Sequence, residues 1–170
     1  GNAQAEIAPI EMGELLHKVR ANLKHEIVKR NASVTIEEGG WPVVEGHAPW
    51  VEQVWSNYIT NALKYGGSPP QVSLAWDFSE TGDPRFLVRD NGPGMTAEQC
   101  ETVFDEFQRL DSAKSEEGHG LGLSIVRRIV EKLAGKVGLE SAPGRGSQFF
   151  FTLKAAPGVE LPERAPRRSE

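Results

Sequence analysis

The sequence predicts an α+β fold, a two-layer α/β sandwich in which helices cover one face of a mixed sheet. Two kinds of hydrophobic spacing lead to this prediction. Apolar residues recur every three to four positions in three long stretches, and they alternate with polar residues in several short ones. Because glycine and proline separate most of these stretches, the ends of the predicted helices and strands can be placed.

Seven segments alternate apolar and polar residues or form short apolar runs, as strands do. The last four of them pair as two hairpins, across turns at residues 81–84 and 142–146. In chain order, the predicted strands are residues 7–11, 33–37, 41–46, 72–76, 85–89, 136–141 and 147–153.

The predicted helices are residues 12–30, 48–65, 96–104 and 121–133. The second ends where two glycines and two prolines begin at Gly66, and Gly135 closes the last. Thr96 is the expected N-cap of the short third helix. A polar, glycine-ended segment at 109–119 is expected to be a mobile loop in front of the last helix.

Length and composition exclude several classes of protein. A chain of 170 residues with 38% hydrophobic and 25% charged residues is expected to be one soluble domain, and its net charge of −5 argues against general nucleic-acid binding. The lone Cys100 excludes an internal disulfide and fits a cytoplasmic location, and no apolar run is long enough for membrane insertion. Because the chain starts without Met, we expect a larger parent protein, and the sequence leaves open whether that parent is membrane-anchored. The expected organisation is an N-terminal extension at 1–6, a domain at 7–155 and a disordered tail at 156–170.

Three polar residues share one face of the predicted helix at 48–65. At about 100° per residue, Asn57, Asn61 and Lys64 fall within roughly 60° of one another, with Tyr65 at the rim of that face. An amide oxygen is a suitable Mg²⁺ ligand, and an ammonium group attracts phosphate oxygens. The alternative interpretation is an ordinary solvated polar face.

A carboxylate followed by two glycines ends the strand at 85–89. Asp90 can accept a hydrogen bond from the exocyclic amino group of adenine, whereas guanine carries an oxygen at that position. Gly92 and Gly94 would let a flat base approach the backbone. A simple Asp-Asn-Gly turn is the alternative. A dinucleotide fingerprint reaching Ala97 is disfavoured, because no parallel strand–helix–strand unit surrounds it.

A second glycine cluster opens the last predicted helix. Backbone amides at a helix N-terminus bind anions, so Gly118, Gly120 and Gly122 predict a triphosphate site, to which Ser124 would add a hydroxyl. A flexible hinge is the alternative, and a P-loop is excluded because no Gly-Lys-Ser/Thr follows. Between the glycine clusters, Arg109 could reach a terminal phosphate; the alternative is a short amphipathic helix with an exposed arginine.

Four motifs resemble, in order and spacing, the N, G1, F and G2 boxes of sensor histidine kinases. The resemblance covers roughly residues 7–155. The four motifs are Asn57-(x)3-Asn61-Ala62-Leu63-Lys64-Tyr65, Asp90-Asn91-Gly92-Pro93-Gly94-Met95, Phe104-(x)2-Phe107-Gln108-Arg109 and Gly118-His119-Gly120-Leu121-Gly122-Leu123-Ser124.

The resemblance implies an ATP-binding catalytic domain with an ATP lid, related to gyrase-type ATPases. Asn61 would coordinate Mg²⁺ with support from Asn57, and Lys64 and Arg109 would contact phosphates; these four are the candidate catalytic residues. Asp90 would bind the adenine amino group. The residues implied around ATP are Asn57, Asn61, Lys64, Tyr65, Asp90, Gly92, Gly94, Met95, Arg109, Gly118, His119, Gly120, Leu121, Gly122, Leu123 and Ser124.

The same resemblance implies two protein partners. The family transfers the γ-phosphoryl group to a histidine on a separate dimerisation domain, and a response regulator acts downstream. His25 lacks the Arg-x-Pro continuation of that acceptor motif, so we interpret it as an ordinary helix residue. A non-catalytic, nucleotide-responsive module is the main alternative. A serine kinase or ATPase relative is the other, although a gyrase-like enzyme would need a carboxylate where Asn57 stands, and Glu52 lies too far back.

Overall fold

The computed structural model describes residues 5–105 and 122–164, and within these ranges it contains five helices and seven strands. The helices are α1 (Met12–Asn22), α2 (Lys24–Lys29), α3 (Ala48–Tyr65), α4 (Ala97–Thr102) and α5 (Gly122–Lys132). The strands are β1 (Ala8–Glu11), β2 (Ser33–Ile36), β3 (Val43–Gly46), β4 (Gln71–Phe78), β5 (Pro84–Asp90), β6 (Val137–Ser141) and β7 (Ser147–Thr152). Within the described ranges, no helix is long and apolar enough to cross a membrane.

Five strands form one mixed sheet in the order β2-β4-β5-β7-β6, as the α+β prediction requires. β2 runs parallel to β4, and the other neighbours are antiparallel. The register pairs Asp90, at the end of β5, with Val72 of β4 on one side and Ser147 of β7 on the other. Asp90 therefore lies at the C-terminal end of the central strand, between two neighbouring strands.

An aromatic core joins α3 to the sheet. Trp55 and Tyr58 of α3 are fully buried against the rings of Phe149 and Phe151 of β7, with centroids 5.0–6.1 Å apart. Rings of this size bury large apolar areas and pack in tilted or edge-on pairs, which favours a single orientation of the helix. This packing determines which side of α3 faces outwards.

The expected single helix at 12–30 is wrong, because the chain bends at Leu23 between α1 and α2. α1 buries four residues, whereas α2 buries none and leaves Val28 68% exposed. Leu23 and Ile27 still pack against the core.

Two further parts of the chain lie outside the main sheet. The strands β1 and β3 pair with each other as a separate two-stranded sheet and do not join the main one. The segment 156–164 is not a frayed tail: Ala156 is buried, and its N–H donates to the carbonyl of Val43. Further along, the Arg164 guanidinium lies 4.6 Å from the ring centroid of Trp76 and forms an ion pair with Glu37 at 2.9 Å. Residues 1–4 and 165–170 lie outside the described residues.

Candidate nucleotide site

A polar cleft lies between α3 and the start of α5. It contains the three polar residues that the sequence placed on one helix face, together with Tyr65 at the rim. The described residues that line it are Asn57, Thr60, Asn61, Lys64, Tyr65, Gly122 and Leu123. Described residues of α3 and of the start of α5, which are distant in the sequence, therefore line one cleft.

Because the apolar side of α3 packs into the core, its polar face is directed towards the cleft. Residues from Val51 to Leu63 at helical spacing are buried, whereas the cleft-lining residues of α3 are half-buried. Tyr58 reaches through the core, and its hydroxyl donates to the carbonyl of Phe150 at 2.8 Å. Burial raises the pKa of Tyr58 well above its ordinary value, so this hydroxyl stays a donor. The helix is thereby anchored with its amides facing outwards.

Asn57 connects α3 to the first residue of α5. Its Nδ2 atom donates to the carbonyl of Gly122 at 3.4 Å. An amide has one donor group and one acceptor oxygen, so Oδ1 of Asn57 takes no part in this bond. Ser124, in the first turn of α5, is buried. The helix face and the second glycine cluster are therefore adjacent where the structure describes both.

Asp90 lies at the end of β5, and the turn that follows it meets Tyr65 at the end of α3. Asp90 is only 8% exposed, and its Oδ1 accepts from the backbone N–H groups of Gly92 at 2.8 Å and Ser147 at 3.3 Å. Burial raises the pKa of this carboxyl, and the two backbone hydrogen bonds oppose that rise. Neither hydrogen bond uses Oδ2. The carboxylate can therefore accept a further hydrogen bond without losing its own supports.

The glycines after Asp90 fit closely against the chain itself. A Cβ on Gly92 would collide with the carbonyl of Tyr65, and a Cβ on Gly94 would collide with that of Ala142. Gly94 also has a φ of +75°, which other residues rarely adopt. We expected these glycines to admit a flat base. The structure shows a different role: because these glycines have no side chain, their backbone can contact the backbone at Tyr65 and at Ala142, beside the candidate adenine slot.

Two serines support this slot and were missed in the sequence analysis. The hydroxyl of Ser141 accepts from the N–H of Met95 at 2.8 Å and donates to the carbonyl of Gly146 at 2.9 Å. It also lies 2.8 Å from the hydroxyl of Ser147. A serine directly after Gly146, at the start of a strand, is a weak local signal. Only the pairing of β5 with β7 shows that it reaches Asp90.

Comparison with known proteins assigns the fold to a family. The family model described as histidine kinase-, DNA gyrase B-, and HSP90-like ATPase matches residues 46–157, which include α3, Asp90 and α5. The chain belongs to this ATPase family. The matched range also includes the described residues of α3 and α5 that line the cleft.

The most informative relatives of this ATPase domain are sensory kinases. The methanogenesis regulatory histidine kinase FilI of Methanothrix harundinacea is 38% identical over 143 residues, which cover 83% of this chain and 16% of FilI. The adaptive-response sensory kinase SasA of Thermosynechococcus vestitus is 33% identical over 140 residues, covering 82% of this chain and 36% of SasA. The chain therefore spans well under half the length of these relatives.

Solved structures agree on the architecture. The nucleotide-free catalytic domain of the histidine kinase ThkA has a TM-score of 0.76 and 26% identity, covering 88% of this chain and 96% of that domain. Full-length ShkA in complex with AMPPNP has a TM-score of 0.78 at 24% identity, and it covers 99% of this chain. The second likeness concerns the fold alone.

Several predicted site residues of this ATPase domain fall outside the described residues. The described part includes Met95, which is buried, and Phe104, whose ring lies 6.1 Å from that of Phe149. Leu123 is partly buried and packs against the core. Those outside the described residues are Arg109, Gly118, His119, Gly120 and Leu121.

The described side chains fit an adenine nucleotide with a bound cation. Asp90 offers a buried acceptor for an amino group, and Asn57 and Asn61 offer amide oxygens beside the ammonium of Lys64. In the described ranges, no group of three His, Cys, Asp or Glu side chains is placed to hold a metal ion. A cation here would therefore need phosphate and water oxygens as its remaining ligands.

Proposed function

We propose that this chain is the ATP-binding catalytic domain of a sensor histidine kinase. The observation that carries the proposal is the convergence of the polar face of α3 and the start of α5 on one cleft, next to the turn that follows Asp90, within a domain whose relatives are named histidine kinases. The proposed reaction transfers the γ-phosphoryl group of ATP to a histidine on a separate dimerisation domain. A response regulator would then be the downstream partner.

The purine end of the site would recognise adenine. Oδ2 of Asp90 would accept the exocyclic amino group, while Oδ1 keeps its hydrogen bonds to Gly92 and Ser147. Guanine presents an oxygen at that position, which a carboxylate repels. Tyr65, at the rim between α3 and the first glycine cluster, would pack against the nucleotide. This end would therefore select the base.

The phosphate end would neutralise charge. Asn61 would bind Mg²⁺ through its amide oxygen, with Asn57 in support, and the metal would supply positive charge opposite the phosphate oxygens. Lys64 would add an ammonium group, and Arg109 remains a prediction for the terminal phosphate. The backbone amides of the second glycine cluster, including Gly122, would bind phosphate oxygens at the start of α5.

The chemical step needs little from this domain beyond positioning and charge. A ring nitrogen of a neutral acceptor histidine would attack the γ-phosphorus, the bond to the β–γ bridging oxygen would break, and ADP would leave. Imidazole has a reference pKa of about 6.5 and supplies its own lone pair, so no strong base is required. Glu52 forms an ion pair with Lys18 at 2.7 Å, so this carboxylate of α3 is engaged elsewhere and is not a candidate base. A gyrase-like water activation would need a carboxylate at Asn57.

A transfer experiment tests the proposal. The chain is mixed with ATP radiolabelled in the γ-phosphate and with the dimerisation domain of a histidine kinase, using an acceptor-histidine-to-glutamine version of that domain as the control. Label is expected on the intact acceptor only. ATP binding without transfer to any acceptor tested would favour the non-catalytic regulatory module, and failure to bind ATP would refute both interpretations.

A further inference from the structure

We propose that Asn91 is a positioning residue that holds the two ends of the nucleotide site at a fixed separation. The inference rests on the proposed function, since it concerns how one ATP molecule is held at both ends. Asn91 directly follows Asp90, the candidate purine ligand. Its side chain binds the segment that leaves α3, the helix of the candidate phosphate ligands. We refer to these hydrogen bonds together as the Asn91 clamp.

The Asn91 clamp consists of three hydrogen bonds to backbone groups. Oδ1 accepts from the N–H of Gly67 at 2.8 Å and from the N–H of Gln71 at 2.8 Å. Nδ2 donates to the carbonyl of Pro69 at 3.1 Å. One side chain therefore ties together the whole connection between α3 and β4. An aspartate could not reproduce this pattern, because it has no donor for the carbonyl.

The backbones on either side of the clamp are also in close contact. A Cβ on Gly67 would lie 2.6 Å from Nδ2 of Asn91, and a Cβ on Gly92 would collide with the carbonyl of Tyr65. The last turn of α3 and the turn after β5 therefore meet without intervening side chains. Lys64 and Tyr65 belong to that last turn, so a shift there moves the cleft face directly.

Asp90 has supports that do not depend on the clamp. It pairs in register with Val72 and Ser147, and its carboxylate binds two backbone N–H groups. Loss of the clamp should therefore leave the adenine slot in place while the end of α3 becomes free to move relative to it. A ligand that touches both ends should lose more affinity than one that touches only the purine end.

The test compares ATP with adenosine in the variant Asn91→Ala. The matched control is Ser79→Ala, because Ser79 also ties a turn to itself, accepting from the N–H of Asp83 at 3.2 Å. That turn joins the same two strands, β4 and β5, at the end away from Asp90. Equilibrium binding and thermal unfolding are measured for both variants and for the unchanged chain.

We expect Asn91→Ala to weaken ATP binding about tenfold and adenosine binding by no more than about twofold, given the usual net value of such hydrogen bonds. Ser79→Ala should change neither affinity. Equal weakening of both ligands, or unchanged ATP affinity, would overturn the inference. If the unchanged chain does not bind ATP, the proposed function itself fails.

A milder variant keeps the test decisive if Asn91→Ala does not fold. Asn91→Asp retains the acceptor for Gly67 and Gln71, replaces the donor to Pro69 with a carboxylate oxygen and adds one negative charge. We expect a smaller loss of ATP affinity than in Asn91→Ala, again with adenosine affinity preserved. Loss of adenosine affinity to the same extent would show that the residue supports the purine slot generally and does not set the separation of its ends.

Discussion

The two ends of the nucleotide site are built in different ways. At the purine end, Asp90 is buried, lies on a central strand and is held by backbone N–H groups. At the phosphate end, half-buried side chains project from one helix into an open cleft. Groups held by backbone pairing lose little freedom on binding a ligand, whereas exposed side chains must be ordered. We therefore expect the base to bind in a preformed slot. The side chains at the phosphate end are expected to become ordered only when the phosphates and their cation bind.

The largest expected effect is at the phosphate end. Asn61→Ala should reduce phosphoryl transfer by about 10²–10³-fold, because it removes a positioned ligand for the charge that the reaction must neutralise. Transfer of label to the acceptor domain measures this. Asn61→Asp keeps an oxygen ligand and should retain much more activity. Gln53→Ala, on the exposed side of the same helix, is the control. Full activity in Asn61→Ala would remove this residue from the site.

At the purine end, Asp90→Asn should weaken ATP binding by about 10–100-fold, the usual range for a hydrogen bond to a charged group. The amide can keep both backbone hydrogen bonds through its oxygen, but it can place a donor against the adenine amino group. Calorimetric titration measures the change. Glu80→Gln, an exposed loss of one negative charge, is the control and should leave affinity unaltered. Unchanged ATP affinity in Asp90→Asn would refute the adenine role.

Two alanine substitutions separate the glycines of the two ends. Gly94→Ala combines a positive φ with a collision against Ala142, so we expect a loss of about 2 kcal/mol or more in the free energy of unfolding. Gly122→Ala meets nothing within 4 Å and begins a helix, so its effect on stability should be neutral or favourable by up to about 1 kcal/mol. Chemical denaturation distinguishes them. An equal decrease in the free energy of unfolding for Gly94→Ala and Gly122→Ala would contradict this difference between the two glycine clusters.

The pH dependence is the smallest expected effect. Because burial raises the pKa of Asp90, the folded chain binds this proton more tightly than the unfolded chain does. The contribution of Asp90 to stability therefore decreases as pH rises through the folded pKa. Adenine recognition needs the carboxylate, so ATP affinity should decrease as pH falls through the same range, by at most about tenfold per pH unit. Asp90→Asn is the reference, since titration of ATP itself affects both proteins equally.

Local sequence signals predicted the helix that carries the phosphate ligands. The residues 48–65 were placed with the bounds that α3 has, because glycine follows Tyr65 and the apolar spacing is regular. The N-cap at Thr96 was also predicted, and its side chain accepts from the N–H of Gln99 as a cap does. The bend at Leu23 was not predicted, since no glycine or proline marks it.

The supports of the site escaped prediction for a physical reason. Asn91 binds Gly67 across 24 residues, and Ser147 reaches Asp90 across 57. Such partners are set by strand register, which the sequence of one strand does not specify. The polar face of α3 needs only the helical period, so Asn57, Asn61 and Lys64 could be grouped from spacing alone. Sequence reasoning thus found candidate ligands more readily than the groups that hold them.

The salt link between Arg164 and Glu37 bears on where this domain can be shortened. The family model ends at residue 157, and the sequence predicted a domain end at 155. Arg164 lies seven residues beyond the end of the family model, yet its guanidinium packs over Trp76 and pairs with Glu37. A protein trimmed at either point would uncover that indole and strip Glu37 of its cation. The ATPase domain expressed by itself should therefore include Arg164. Otherwise a loss of solubility or a lower melting temperature that results from the truncation would be attributed to the rest of the domain.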